Sequence, residues 1–421
     1  MSALGSTLHD SPSETTEICP DIKRPMISIL VSDLSETGTG RWGMESGDRP
    51  FVISKALRLA GYQTEILGLS SALPKEKSIE ASLKLIHKQP GIGFWRSLYK
   101  LITAPKGDIL YAYKPKVGSF GTALLAKYFY RKPLVIDIDD WELSWHGGDN
   151  YCYTGDWQQL YRDLLKAEGA LRNSDHPLYI QQMERLIKFA DEITTHNTFL
   201  QKRFGGRWLP NGKDIHLFNP DLFDAEACRQ ELGLSNYRVL MFPGAPRPYK
   251  GAEDILLALD ILDEPDLKLV IVGGSPYDDY DAYLHRNWGH RLIQLPKTEY
   301  RKMPSRIAAA HILVVPQRDD PATRAQFPLK ITDGMAMAKP VLATRVGDIP
   351  KILGDAGYLV EADSPKALAD SIRHIFANYD EALTRGTQAR LRCQDHFSVE
   401  HMSEILSDIF RSQKLLSSAI K

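Results

Sequence analysis

The 421-residue sequence lacks any run of about 18 apolar residues, the length that a membrane-spanning helix needs. Its first 23 residues are polar and include acids, without the apolar core of a signal peptide. We therefore expect residues 1–23 to form a disordered leader. The same absences predict a cytoplasmic protein, either free or held peripherally at the cytoplasmic face of a membrane.

Cysteine is scarce, and neither sign of charge dominates. The four cysteines form no Cys-x-x-Cys pair and have no histidine cluster nearby (Cys19, Cys152, Cys228 and Cys393). This scatter predicts inert thiols in a reducing compartment and argues against a structural zinc ion. With 52 basic and 53 acidic residues the net charge is −1, which argues against bulk attraction to nucleic acid.

Short β-branched runs alternate with helical patterns from Met26 onward, and the alternation restarts after Leu232. The predicted strands are residues 26–32, 63–67, 108–113, 134–138 and 192–195, then 238–242, 267–272, 290–295, 312–315 and 341–344. The predicted helices are residues 50–60, 122–130, 252–262 and about 329–338, with a last one at about 399–416. Such alternation indicates parallel sheets covered by helices on both faces.

The predicted fold class is therefore α/β, with two Rossmann-like doubly wound domains facing a central cleft. We place the first domain at residues 24–215 and the second at 216–395. The C-terminal helix, within residues 396–421, is expected to pack back on the first domain. Ligands of such sheets bind beyond the carboxyl ends of the strands.

Residues 242–251 (FPGAPRPYKG) join a predicted strand to a predicted helix. Gly244 and Gly251 let the backbone approach a ligand, and the helix N-terminus that follows favours an anion. Arg247 and Lys250 could then clamp a diphosphate, the arginine through its planar fork and the lysine as a point charge. The alternative for this segment alone is a solvated basic loop.

Residues 327–343 (FPLKITDGMAMAKPVLA) predict a loop, a helix, a tight turn and a strand. Lys330 and Asp333 are three residues apart and share a face of the first helical turns. That helix end offers free N–H groups to a phosphate, and a carboxylate is the usual partner of ribose hydroxyls. The alternative is a Lys–Asp surface pair on an ordinary amphipathic helix.

Together these segments resemble the family 4 retaining glycosyltransferases (glycosyl transferases group 1), whose two Rossmann-like domains have the GT-B arrangement. Residues 209–214 (LPNGKD) with Phe218 are similar to the family's interdomain signature, and residues 348–360 to the segment after its nucleotide site. The resemblance implies that Arg247 and Lys250 are catalytic. It also implies donor-binding positions, which here are Gly244, Gly251, Leu295, Phe327, Pro328, Leu329, Lys330 and Asp333.

One departure from the family concerns the donor sugar. The family commonly has a glutamate that touches sugar hydroxyls, and that position falls at Ala325. Sugar contacts must then come from elsewhere, with Asp319, Asp320 and Gln326 as candidates. The departure keeps open a catalytically inactive GT-B interaction protein. A nucleotide-sugar epimerase, or a hydrolase or phosphorylase, is a further alternative on the same fold.

Residues of the first half supply the acceptor side. Gly38, Thr39 and Gly40 occupy the place of the family's Gly-rich loop beside donor and acceptor, although a plain turn fits equally. Asp139, Asp140 and Trp141 follow a strand, and His196 follows another, so an acceptor pocket is expected there. The alternatives are helix capping, solvated acids and a structural histidine.

The family mechanism needs no cofactor and no metal, since a nucleotide-diphosphate sugar is the co-substrate. Charge builds on the leaving diphosphate, where Arg247, Lys250 and the helix end near Lys330 would stabilise it. The expected acceptor is a glycan, a lipid-linked molecule or a small molecule.

Residues 91–106 (GIGFWRSLYKLITAPK) combine aromatic, aliphatic and basic side chains at helical spacing. Such a helix can lie at a membrane interface, which predicts peripheral membrane contact. The alternative is a helix whose apolar face packs on the sheet.

Overall fold

The computed structural model describes residues 25–35, 47–71, 82–89, 93–166, 169–275 and 278–411. They form two parallel sheets, each covered by helices. The strands are β1 (Met26–Val31), β2 (Gln63–Ser70), β3 (Leu83–His87), β4 (Ile109–Tyr113), β5 (Leu134–Ile138), β6 (Glu192–Thr195) and β7 (Arg207–Trp208), then β8 (Arg238–Pro243), β9 (Leu267–Val272), β10 (Leu292–Leu295), β11 (Ile312–Val315), β12 (Val341–Thr344) and β13 (Tyr358–Val360).

Sixteen α-helices lie within the described ranges. Those before β8 are α1 (Arg49–Leu59), α2 (Gly93–Thr103), α3 (Thr122–Tyr130), α4 (Trp157–Leu165), α5 (Pro177–Leu186), α6 (Thr198–Phe204) and α7 (Ala225–Glu231). Those after β8 are α8 (Ala252–Leu262), α9 (Tyr280–Trp288), α10 (Met303–Ala308), α11 (Pro321–Arg324), α12 (Leu329–Ala336), α13 (Ile349–Leu353), α14 (Pro365–Ala377), α15 (Tyr379–Phe397) and α16 (Val399–Phe410).

Both sheets have the doubly wound topology. The first has the strand order β3-β2-β1-β4-β5-β6-β7, and the second β10-β9-β8-β11-β12-β13. The paired strands run parallel, for example β1 with β4 and β8 with β11. The order reverses between β1 and β4 and between β8 and β11, and ligands of such sheets bind at these switch points. The predicted fold class is confirmed.

The first sheet is buried on both faces. One face packs against α1 and α16, and the other against α2, α3, α5 and α6. The buried strand residues are mostly apolar, as is typical of parallel sheets with two covered faces. In α16, Val399, Met402, Leu406 and Phe410 join this core, so the last described helix packs on the first sheet although it follows the second.

The chain crosses between the sheets twice, and the two crossings are hydrogen-bonded to each other. The Lys213 amide donates to the Phe397 carbonyl, and the Val399 amide donates to the Lys213 carbonyl. Arg49, at the start of α1, donates to Asp137 at 2.6 and 2.8 Å and to the Asn211 amide oxygen at 2.7 Å. All three side chains are buried, and Asp137 raises the pKa of Arg49 against the effect of burial. This network fixes the first crossing to β5.

Candidate active site

The loop after β8 is shaped by two glycines with positive φ. Gly244 has φ 97° and Gly251 has φ 71°, a region that side-chain-bearing residues rarely adopt. At Gly251 a Cβ atom would lie 1.7 Å from the carbonyl oxygen of Pro316, the residue after β11. A side chain there cannot be accommodated, so glycine lets this loop approach the end of β11.

Lys250 lies partly buried at the end of this loop, and its Nζ donates to the Ala245 carbonyl at 3.2 Å. Burial, and then the charge of Arg247, lower the pKa of Lys250 to about 8. Arg247 contacts Asp278 at 3.0 Å. Lys250 makes no ion pair among the described residues, so its charge is left for an incoming anion.

Lys330 lies in the first turn of α12, and its Nζ is 3.2 Å from the centre of the Phe242 ring. Burial, and then the nearby Lys250, lower the pKa of Lys330 well below its ordinary value. Within the described part of the chain no carboxylate forms an ion pair with it. Two partly buried lysines that repel each other at the β8–β11 switch point form a site for an anion, which we call the Lys250–Lys330 site.

Helix α12 begins at Leu329, directly after Pro328, and no side chain caps its first-turn N–H groups. Phe327 and Pro328 are buried, whereas Leu329 is exposed. Free N–H groups at a helix N-terminus favour an anion. These N–H groups and Lys330 lie in the same helical turn.

Asp333 lies one turn further along α12, and the structure gives it a partner that the sequence pattern did not indicate. Its carboxylate accepts a hydrogen bond from Lys213 Nζ, and both side chains are buried. Asp333 raises the pKa of Lys213 against the effect of burial. The surface pair of Lys330 with Asp333 that we considered as an alternative is therefore not present. Asp333 instead connects α12 to the first interdomain crossing.

Leu295 ends β10 and borders a shallow pocket of about 550 Å³. Its carbonyl accepts from the Gly273 amide at 3.0 Å, and Gln294 donates to the Gly273 carbonyl at 2.9 Å. The pocket lies at the carboxyl ends of β9 and β10, next to the β8 loop. Leu295, one of the donor-binding positions that the family resemblance implies, therefore lies at the same edge of the sheet as the β8 loop.

On the first domain, Asp139 and Asp140 converge on Lys114, which has φ 68° at the end of β4. Lys114 Nζ lies 3.3 Å from Asp139, 2.9 Å from Asp140 and 2.8 Å from Glu142. Burial, and then Asp139 and Glu142, raise the pKa of Asp140 to about 6, although Lys114 opposes them. Burial and Arg247 lower the pKa of Lys250, and the charge of Asp140 offsets part of that lowering, so the two side chains interact electrostatically across the cleft.

Trp141, which we expected on the acceptor side, is buried in the first domain. The Arg203 guanidinium lies 4.1 Å from its ring, so Trp141 is not available to stack on a sugar. Trp145 is 45% exposed, and its ring lies 5.5 Å from that of Tyr249 in the loop after β8. Trp145 lies in the short 3₁₀ turn Glu142–His146, which follows Trp141 directly.

His196 is buried between the domains, with its ring 6.0 Å from that of Phe327. Burial, and then the charges of Arg49 and Lys114, lower its pKa well below the ordinary value, so the imidazole is neutral. Its Nδ1 has no hydrogen-bond partner among the described residues. His196 of the first domain therefore contacts Phe327, which precedes α12 in the second domain.

The burial of Ala325 gives a physical reason for the absence of a carboxylate at this position. It is 1% exposed and packs within the core cluster of the first domain, next to the Glu142–His146 turn. A glutamate here would bury its charge in the interface between the domains. The acids that we considered as substitutes are engaged, since Asp319 pairs with Arg324 at 2.6 Å and Asp320 caps α11.

A further contact between the domains was not foreseen. The buried Asp348, before α13, accepts from the Thr198 amide at 2.8 Å and from the Thr198 hydroxyl. Thr198 is the first residue of α6, so the carboxylate also faces a helix N-terminus. No local pattern marks this pair, because the two residues are 150 positions apart.

Two predicted regions cannot be placed. Gly38, Thr39 and Gly40, and the leader at residues 1–23, lie outside the described residues. In the described part of the chain no group of three His, Cys, Asp or Glu residues could hold a metal ion. None of the described helices is both long enough and apolar enough to cross a membrane.

The fold defines the structural class of the protein. Two doubly wound parallel domains with a cleft between them are the GT-B architecture. The structure is similar to that of Anabaena HepE in complex with UDP-glucose. The TM-score is 0.68 at 20% identity, over 92% of this chain and all of that one. Residues 237–378, which lie in the second domain, match the family described as glycosyl transferases group 1.

Two relatives of known name are also similar to this chain. D-inositol 3-phosphate glycosyltransferase of Mycolicibacterium gilvum is 24% identical over 400 residues, which are 88% of this chain and 86% of that protein. The GDP-mannose-dependent monoacylated alpha-(1-6)-phosphatidylinositol monomannoside mannosyltransferase of Corynebacterium glutamicum is 27% identical over 242 residues. These are 56% of this chain and 61% of that relative's length. The resemblance to group 1 glycosyltransferases is confirmed, and family 4 in particular stays a prediction.

The pKa of Lys250 predicts how anion binding at this site would depend on pH. A lysine with a pKa lowered to about 8 carries its charge below that pH and loses it above. If only the charged form binds a diphosphate group, affinity for a ligand with that group should fall about tenfold from pH 7 to pH 9 by proton linkage. Calorimetric titration at both values measures this. The Lys250→Arg variant stays charged and should flatten the profile; an equal fall in that variant would contradict the assignment.

Proposed function

We propose that the protein is a retaining glycosyltransferase that moves a sugar from a nucleotide-diphosphate sugar to a hydroxyl of an acceptor. The observation that carries this proposal is the Lys250–Lys330 site at the switch point of the second sheet. Its two lysines have lowered pKa values, and neither forms an ion pair with a carboxylate among the described residues. A diphosphate would supply the negative charge that is missing from this site. The match of residues 237–378 to glycosyl transferases group 1 supports the same chemistry.

In the proposed reaction the bond between the anomeric carbon and the diphosphate oxygen breaks, and the acceptor oxygen bonds to that carbon from the same face. The electron pair of the broken bond goes to the diphosphate, where Arg247, Lys250 and Lys330 stabilise it. The acceptor's hydroxyl proton passes to the leaving phosphate oxygen. No metal, cofactor or enzymic nucleophile is part of this proposal.

The remaining roles are assigned by position. The pocket beside Leu295 takes the base. Asp333 accepts hydrogen bonds from the ribose hydroxyls while it remains paired with Lys213. Asp139, Asp140 and His196 form the acceptor side, with Trp145 in place of the buried Trp141. The acceptor is a glycan, a lipid-linked molecule or a small molecule, and we propose that the protein is cytoplasmic and meets membranes peripherally through residues 91–106.

A thermal-shift screen with UDP, GDP and ADP tests the donor part. UDP is the first choice because HepE was crystallised with UDP-glucose. At a hundredfold excess over Kd the matching nucleotide should raise the unfolding midpoint by about 5 °C. Failure of all three to stabilise the protein would overturn the donor site. Stabilisation without transfer from any nucleotide sugar would favour the inactive GT-B protein that Ala325 first suggested.

A further inference from the structure

Helix α2 has two apolar faces, and the sheet covers one of them. Leu98 and Leu101 are buried against the first sheet, whereas Trp95 is 70% and Tyr99 67% exposed. For residues 91–106 we considered packing on the sheet and contact with a membrane. The buried face of the helix fits the first interpretation, and the exposed aromatic face is free for the second. Packing on the sheet leaves the aromatic face without a partner among the described residues.

Helix α3 continues this aromatic face. Tyr128 is 80% and Phe129 64% exposed, and both lie one helical turn beyond the exposed Leu125. Leu125 borders a groove of about 340 Å³ whose other walls include Trp95 and Tyr99, so the two helices form one surface. We call Trp95, Tyr99, Tyr128 and Phe129 the α2–α3 aromatic surface. Large exposed rings grouped in this way mark an interaction site, unlike scattered ones.

The two helices that form this surface carry basic residues and no acidic ones. Residues 93–107 and 109–136, which include both helices, contain no aspartate or glutamate. Arg96, Lys100, Lys106 and Arg131 are exposed there, whereas Lys127 is paired with Asp191 at 2.6 Å. Basic residues that flank exposed Trp and Tyr fit the headgroup region of an anionic bilayer. A protein interface, by contrast, is usually depleted of lysine at its centre.

We propose that the α2–α3 aromatic surface docks on a bilayer that contains anionic phospholipids. The rings lie among the headgroups, Arg96, Lys100 and Arg131 face lipid phosphates, and the groove between α2, α3 and α5 receives apolar lipid segments. Docking would place the first domain where a lipid-linked acceptor is found. This consequence for the acceptor rests on the proposed function. The docking itself does not require that the protein be an enzyme.

Vesicle co-sedimentation of the full chain tests the proposal without any measurement of transfer. Wild-type protein should bind vesicles of phosphatidylcholine with 30% phosphatidylglycerol, and binding should weaken at high salt. Each basic residue near such a surface contributes roughly fivefold, which corresponds to about 1 kcal/mol. The double variant Arg96→Glu, Lys100→Glu should therefore bind at least about 25-fold more weakly. Trp95→Ala, Tyr128→Ala should lose binding to a similar degree with an unchanged unfolding midpoint.

A matched control lies on the second domain, where Lys366→Glu, Arg373→Glu on α14 makes the same change of charge. This control should bind the vesicles as wild type does. An equal loss in the control, or equal binding to pure phosphatidylcholine vesicles, would overturn the proposal. So would a stable dimer that dissociates on Trp95→Ala, Tyr128→Ala, because the surface would then join two copies of the chain. Nucleotide binding should be unchanged in every variant, so a failure here is distinct from a failure of the donor site.

Discussion

Replacing Lys250 with alanine is expected to reduce transfer about 10²- to 10³-fold, the usual cost of removing one group that stabilises transition-state charge. The same change should not destabilise the fold. Lys250 is partly buried, lacks an ion pair in the described structure and is repelled by Arg247 and Lys330. Its removal relieves that repulsion, so the unfolding midpoint without ligand should stay equal or rise. Steady-state kinetics and thermal unfolding of the same preparation measure both effects.

The control for Lys250→Ala is Lys366→Ala, which removes an exposed lysine of the second domain outside the site. Lys250→Arg should recover part of the activity because it restores the charge. Unchanged turnover in Lys250→Ala would refute its catalytic role. Loss of activity together with a large fall in the midpoint would mean that Lys250 is structural.

Replacing Lys213 with methionine is expected to lower the free energy of unfolding by about 3–5 kcal/mol, the usual cost of leaving one partner of a buried ion pair uncompensated. Lys213 and Asp333 are both buried, and they form an ion pair with each other. The double variant Lys213→Met, Asp333→Asn should be more stable than Lys213→Met alone, because no unpaired charge remains. Denaturant unfolding of wild type, Lys213→Met, Asp333→Asn and the double variant measures this coupling.

The same variants test the ribose role of Asp333. The double variant is expected to fold but to bind UDP more weakly than wild type, since an asparagine side chain is a poorer acceptor for two hydroxyls. Wild-type affinity in the double variant would remove Asp333 from the donor site. Additive losses of stability would show that the pair is not a unit.

Much of the fold follows from local sequence patterns. The buried strands β5, β9, β11 and β12 were predicted at the bounds that the structure gives, since continuous β-branched runs are typical of central parallel strands. Strands β3, β7 and β13 were missed. The first is a half-buried edge strand, the second has two residues and the third has three, so none carries a clear pattern.

The proximity of Lys250 and Lys330 was predictable for a geometric reason. Gly244 follows β8 and the residues after Val315 follow β11, and parallel neighbours bring their carboxyl ends to one edge. Helix α12 returns to this edge with Lys330 in its first turn. Local pattern and sheet topology therefore suffice to bring Lys250 and Lys330 together.

Contacts between distant segments were not predictable from the sequence. The Lys213–Asp333 pair spans 120 residues and the Thr198–Asp348 contact spans 150. The burial of Ala325 against the first domain depends on how the two domains meet, and a single sequence does not specify this. The burial of Trp141 and the exposure of Trp145 were also not predictable, because the 3₁₀ turn that separates them has no clear sequence signal.

The most direct test of the central claim is NMR of the reaction products from a nucleotide sugar that stabilises the protein, with a lipid extract and a glycan mixture as acceptors. The account predicts one nucleoside diphosphate released for each glycosidic bond formed, and a product with the anomeric configuration of the donor. Inverted configuration would contradict the retaining mechanism. Release of free sugar alone, or no release from any nucleotide sugar, would contradict transfer itself.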